Sequence, residues 1–231
     1  MAHLHAADAP AALARDLAER HCEPEILDTL PETSSEAKHC RRDLRRLNAL
    51  MGNTRWFRRT LTRVARRGER VLELGAGGGE LGCSLARLGW RVDGIDLAPR
   101  PACWPPIGNW HQVDMLTLKC WPVAPVVVAN LILHHFEPLE LAALGEQLDR
   151  HARVIVASEP WRRRLSHRLF SCACGLIRAH DYTRHDGALS INAGFRGEEL
   201  PLALGLDPAR WNWSITTHFL GAYRVVAERR A

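Results

Sequence analysis

Apolar positions along this chain follow two rhythms, short continuous runs and a spacing of three to four. Runs at 70–75, 91–96, 109–113, 125–131 and 153–158 read as strands, and Val126-Val127-Val128-Ala129 is apolar enough to be buried on both faces of a parallel sheet. Helical spacing falls between them, with Leu81, Leu85 and Leu88 over 80–88 and a longer pattern over 139–150. Strand and helix in alternation imply right-handed crossovers and an α/β fold, a doubly wound and mostly parallel sheet. Near the end the rhythm changes. Residues 210–217 and 222–228 alternate around the turn-forming Leu220-Gly221, which predicts a C-terminal antiparallel hairpin.

Ahead of the sheet, Leu44, Leu47 and Leu50, then Phe57, Leu61 and Val64, recur at helical spacing and predict two packed helices. Ser34 or Ser35 caps the first, and Gly52-Asn53 breaks it. A further amphipathic helix is expected around Ala11 to Arg20, before a turn at Pro31-Glu32-Thr33-Ser34. The expected organisation is an N-terminal helical cap over 1–66 and an α/β domain over 67–231, with a lid-like insertion at about 161–206. In that insertion His180 to Gly187 concentrates titratable groups, Asp186-Gly187 reads as a turn, and 190–200 reads as a helix.

Composition narrows the class. A chain of 231 residues, 46% of them hydrophobic, can bury one sizeable core. No stretch approaches the roughly 18 uncharged apolar residues that span a bilayer, and MAHLHAADAP lacks a charged and then apolar leader, so a cytoplasmic protein is expected. The seven cysteines are scattered without a C-x-x-C pair and read as reduced thiols. Cys172-Ala-Cys174 has no second pair to complete a metal site, so no metal is expected.

The net charge of +5 is carried by arginine, because only Lys38 and Lys119 are lysines. Arg41-Arg42, Arg45-Arg46, Arg58-Arg59, Arg66-Arg67 and Arg162-Arg163-Arg164 could meet phosphates or an anionic membrane. The first clusters share their helices with apolar stripes, however, and read as solvated faces. A small molecule, rather than nucleic acid, is the expected partner.

The chemistry begins at Val71 to Gly82, VLELGAGGGELG, where a strand pattern runs into a glycine-dense turn and then a helix pattern. Glycines there permit backbone angles and close ligand approach that a Cβ would block. Gly77, Gly79 and Gly82 fit the dinucleotide pattern G-x-G-x-x-G. A second frame, Glu73-x-Gly75-x-Gly77-x-Gly79, has an acid inside the strand end. That frame resembles the S-adenosylmethionine loop of class I methyltransferases, the seven-strand, Rossmann-like group. The donor carries a cationic amino group and a sulfonium, so carboxylates near the loop are useful rather than repulsive.

Asp96 ends the second strand about 20 residues beyond the first loop glycine, where an acid reaches ribose hydroxyls. Asp93 points to the other face. The family resemblance extends to GIDLAP, with Asp96 and Leu97 at the cofactor, and to Asp114 and Met115, which match the places of an adenine-binding acid and its apolar neighbour. It further implies that Ala76 and Asn130 border the cofactor. Asn130-Leu131-Ile132-Leu133-His134-His135-Phe136 resembles a stretch common in small-molecule methyltransferases and lacks the N-P-P-Y motif of base methylation.

His134, His135 and His185, with Glu159 at the end of the fifth strand, are the candidate groups for removing a proton from an acceptor. His180 is a further candidate. Asn53, Trp56 and Trp161 are the expected substrate contacts, with Met51, Phe57 and Phe195 as neighbours in an apolar cavity. The reading that results is O-methylation of a small hydroxylated aromatic or polyketide-like metabolite from S-adenosylmethionine. An RNA methyltransferase and an NAD-binding oxidoreductase are the alternatives.

Overall fold

The computed structural model describes residues 17–31, 33–118 and 120–230. Most of the helix expected at 11–20 lies outside them, and its described end, 17–20, is bent chain rather than helix. Seven strands form one sheet in the order β3-β2-β1-β4-β5-β7-β6. The first five, β1 (Arg70–Leu74), β2 (Arg91–Asp96), β3 (Trp110–Gln112), β4 (Val126–Asn130) and β5 (Val154–Pro160), run parallel. β7 (Ala222–Arg229) pairs antiparallel with β5 on one side and with β6 (Trp211–Thr217) on the other, the expected hairpin.

The order reverses between β1 and β4, and open sheets of this kind take ligands in the crevice beyond the carboxyl ends of strands at such a switch. Strand alternation fills both faces. Leu72, Leu74, Val127, Ala129, Ile155 and Ala157 share one core with Leu141, Leu144 and Leu148 of α5 (Pro138–His151) and Leu200 of α8 (Glu199–Ala203). Val71, Val126, Val128, Val154 and Val156 share the opposite core with Leu81 and Leu85 of α4 (Glu80–Ala86) and with Phe57 and Leu61 of α3 (Asn53–Val64). The helix before the sheet is thus a layer of the sandwich. β-branched runs make these strands because both faces are covered.

Three departures from expectation have local causes. α2 (Ser35–Met51) begins at Ser34, whose hydroxyl accepts the Ala37 N–H at 3.1 Å. It buries Ala37, Cys40, Asp43 and Leu47 rather than the Leu44-Leu47-Leu50 stripe, and Leu44 and Leu50 are exposed. It turns that face because it packs against α6 (Arg164–Ile177) and α7 (Asp181–Ala193), where the buried Asp43 carboxylate accepts the His180 N–H at 2.8 Å. The helix expected at 190–200 is two helices, since α7 ends at Ala193 and α8 starts only at Glu199. Asp186-Gly187 is not a turn but the interior of α7, and a Cβ on Gly187 would collide with the ring of Phe170 on α6.

Candidate cofactor and acceptor site

At the carboxyl end of β1 the glycine loop is bare in the middle. Gly77 has φ +50°, is exposed, and a Cβ there would meet nothing within 4 Å. Its N–H donates to Asp96 Oδ2 at 2.7 Å, while Asp96 Oδ1 accepts the Ala98 N–H at 2.8 Å. The acid ending β2 therefore braces the loop ending β1, and each of its oxygens accepts one of these bonds. Gly75 serves packing instead, because a Cβ would collide with Ile132 from the loop after β4. Ala76 is buried and its N–H donates to Ile95 O of β2.

Beneath the loop Glu73 is buried, and its Oε2 has no hydrogen-bond partner among the described residues. Burial pushes this carboxyl well above the usual range, the Glu80 and Asp96 charges add to that, and the Gly82 N–H only partly opposes them. Asp93, by contrast, is structural: it accepts from Arg70 at 2.7 Å and from the Asn109 N–H at 2.8 Å. Leu97, the residue after Asp96, is 71% exposed. Asp114 Oδ1 accepts the Leu116 N–H, a turn bond, and Met115 is buried in the α5-side core.

The second half of the site follows β4. Leu131, at φ +58°, turns the chain into a short 3-10 turn, Leu133–His135. Glu159 of β5 is fully buried and accepts the backbone N–H groups of Ile132, Leu133 and His134 at 3.0–3.3 Å, with His134 Nδ1 at 2.7 Å. Across the ring, Glu25 Oε1 stands 3.7 Å from His134 Nε2 and 4.0 Å from His135 Nε2. Burial pulls the His134 imidazole down, and the Glu159 hydrogen bond and the Glu25 carboxylate overcome it, raising its pKa to about 9. His135 is shifted the other way, by burial first and by its charged neighbour second.

Glu25 belongs to an N-terminal strap that sequence reasoning did not assign to the site. Arg20 pins the strap by donating to His134 O at 3.2 Å, Phe136 O at 3.1 Å and Ala193 O at 2.8 Å. The short α1 (Ile26–Thr29) is held at its start by Asp186, which accepts the Ile26 and Leu27 N–H groups at 2.9 Å each. His185 sits behind Asp186, its Nδ1 3.2 Å from Asp186 Oδ1. His180 caps α7 by accepting the Tyr182 N–H. No sequence spacing links Glu25 to a histidine pair so distant along the chain.

The expected substrate contacts are not brought together. Asn53 is fully buried, and its amide donates to Asn130 Oδ1 at 3.1 Å and accepts from Arg224 at 3.2 Å, so it ties α3 to β4 and β7 rather than facing a cavity. Asn130 also donates to Asn48 at 3.4 Å. Trp56 packs with the α3-side core and Trp161 with the α5-side core, on opposite faces of the sheet. Phe195 is fully buried. The basic run breaks as well: Arg162 is buried and grips Glu199, and Arg163 lies over the Trp161 ring.

Trp104 is the other residue that the sequence did not reveal. Its buried indole fills the space above Gly79, Gly82 and Gly94, so Gly82 is small for the sake of packing. The one legible signal was the run of small residues opposite it. Nearby, Cys83 and Cys103 bring their sulfurs to 3.2 Å, a pairing invisible in their spacing.

No protein-family model and no curated protein matches the sequence. Solved structures match in fold. The plantazolicin methyltransferase BpumL in complex with SAH superposes with a TM-score of 0.68 at 10% identity, over 89% of this chain and 93% of that one. Magnesium protoporphyrin IX methyltransferase from Synechocystis PCC 6803 with bound SAH gives 0.53 at 15% identity, over 97% and 94%. The methyltransferase domain of bacterial-CtHen1-C gives 0.55 at 14% identity, over 80% and 100%. The chain has the fold of the class I methyltransferases, a seven-strand sheet with an antiparallel C-terminal pair. None of its described helices is long and apolar enough to cross a membrane.

Proposed function

We propose that the chain is an S-adenosylmethionine-dependent methyltransferase acting in the cytoplasm on a small hydroxylated acceptor, by O-methylation. The observation that carries this reading is the bare Gly77 braced by Asp96 at the switch point of the sheet. A side chain at Gly77 would occupy that cradle, and Asp96 retains the lone pairs that ribose hydroxyls need. Bound S-adenosylmethionine supplies an electrophilic methyl group on a cationic sulfur. Asp96 and Leu97 would hold its ribose and adenine, with Asp114 at the far edge. BpumL and the protoporphyrin enzyme were each solved with SAH, which agrees with this choice of ligand.

On the acceptor side, Glu159 fixes His134 in place, and His135 is the more exposed ring of the pair. His135, whose pKa is lowered, and the strap carboxylate would orient an acceptor hydroxyl and His135 would receive its proton, while His134, raised to about 9, carries its own proton at neutral pH and positions them. The strap ahead of α2 and the segment at 161–206 would close over it as cap and lid, α3 being a layer of the sheet sandwich. A buried Arg162 removes the centre of the strongest basic run, which favours a small molecule over a phosphate backbone.

Calorimetry with SAH and with NADH tests the donor directly. SAH is expected to bind and NADH to give no heat, and Gly77→Val is expected to abolish the SAH signal while leaving the far-ultraviolet spectrum intact. No SAH heat with well-folded protein would remove the assignment. A mass-spectrometric screen of phenols, enols and carboxylic acids then identifies the acceptor class.

A further inference from the structure

We infer that Glu25, His134 and His135 bind one divalent transition-metal ion of the borderline kind that zinc represents, on the acceptor side of the site. That location beside an acceptor rests on the proposed methyl transfer, whereas the ion binding stands on its own geometry. One carboxylate oxygen and two ring nitrogens lie within 4.8 Å of one another. Glu25 Oε1 is 3.7 Å from His134 Nε2 and 4.0 Å from His135 Nε2. Those gaps are too long for hydrogen bonds. Ligands 2.0–2.1 Å from a tetrahedral ion stand about 3.3 Å apart, so closure asks for a contraction of roughly 0.5–1.5 Å, within the reach of side-chain rotation.

His134 Nε2 is the atom that most needs a partner. It is buried, faces Glu25, and makes no hydrogen bond among the described residues. Behind the inner ring stands a carboxylate on the other nitrogen, Glu159 at 2.7 Å from His134 Nδ1, whereas Asp28 lies 3.8 Å from His135 Nδ1, beyond hydrogen-bond reach. A carboxylate in the position of Glu159 orients a metal-bound imidazole and raises its basicity. Glu159 is itself fixed by three backbone N–H groups, so the inner ring has one orientation.

Charge points the same way. Glu25, Asp28, Glu159 and Asp186 gather around these two rings, faced by the Arg20 guanidinium. A dication would offset that excess. Two imidazoles and one carboxylate suit zinc, iron or nickel and not magnesium or calcium, which prefer oxygen alone. Three protein ligands leave coordination positions open, on the side where His135 and Asp28 reach solvent. An acceptor oxygen could occupy one of them. Glu25 also accepts the Ser190 hydroxyl, which holds it to the lid helix α7.

The test uses metal-stripped, full-length protein dialysed against Zn2+, Co2+ or Mg2+, with bound metal counted by elemental mass spectrometry. One Zn2+ per chain and no Mg2+ are expected. The Co2+ spectrum should show nitrogen and oxygen ligation without the sulfur charge-transfer band that nearby Cys22 would add. His135→Ala, on the partly exposed ring, and Glu25→Gln, which keeps its shape, should each weaken zinc binding by at least about tenfold. His151→Ala, on the exposed end of α5, should retain it.

Zinc kept at full affinity by both ligand variants, a sulfur band, or no stoichiometric zinc in folded protein would overturn the inference. The last result would mean that His134 is simply an imidazolium held between two carboxylates. SAH titrated into the same stripped sample separates the two readings, since heat without zinc sinks only the metal and zinc without heat sinks only the donor.

Discussion

Asp96 Oδ2 accepts the Gly77 N–H at 2.7 Å, so the acid ending β2 and the loop ending β1 are one unit. Asp96→Ala removes the brace and, on the proposed reading, the ribose acceptor. SAH affinity is expected to fall by tenfold or more, about 1.4 kcal/mol or above, while Asp96→Asn keeps part of the brace and loses less. Calorimetry checks this, and an unchanged affinity in Asp96→Ala would place the ribose elsewhere.

Gly145 in α5 lies against the Leu204 carbonyl just after α8, and a Cβ there would overlap it. An exposed helical Gly→Ala change stabilises by about 1 kcal/mol. Here overpacking against rigid backbone costs about 1–3 kcal/mol, so Gly145→Ala should lower the urea midpoint. A raised midpoint would mean that the two helices separate without penalty.

Glu73 gives a pH dependence whose sign can be worked out. Burial raises its folded pKa well above the ordinary carboxylate value, so the native state holds a proton that the unfolded chain has already lost. Stability from this group is complete below the unfolded value and is lost as pH rises toward the folded one, at no more than about 1.4 kcal/mol per pH unit. Glu73→Gln should flatten that decline and raise the urea midpoint at neutral pH. An unaltered slope would assign the decline to another group.

Arg162 is buried, pairs with both Glu199 oxygens at 2.6 and 2.8 Å, and donates to Leu17 O at 3.0 Å and Ala18 O at 3.1 Å. It thus ties the strap to α8. Arg162→Ala should cost about 3 kcal/mol, and Arg162→Lys should recover little because an ammonium cannot reproduce the fork. Denaturant titration measures the loss, and faster trypsin cleavage at Arg20 should accompany it. A cost under about 1 kcal/mol would show that the guanidinium finds water instead.

The strands were legible because a sheet buried on both faces needs unbroken apolar runs, and β4 and β5 have them. The glycine loop and Asp96 were legible because they are close along the chain and their spacing is set by one β-loop-α unit. His134, His135 and Glu159 could each be named from strand ends. Local pattern misled where packing partners choose the face: α2 turned Asp43 inward, and α7 absorbed Asp186-Gly187 into a helix because Phe170 needed the room.

Sequence alone determined the strands, the glycine loop with its acid and the histidine pair after β4, since each depends on residues within a few positions of one another. Only the tertiary structure decided that Glu25 meets those histidines, that Trp104 seals the glycine loop, and that Trp56 and Trp161 fall on opposite faces of the sheet. Contacts of that kind join segments far apart along the chain. Their partners are chosen by how helices and strap close over the sheet, which no periodicity encodes.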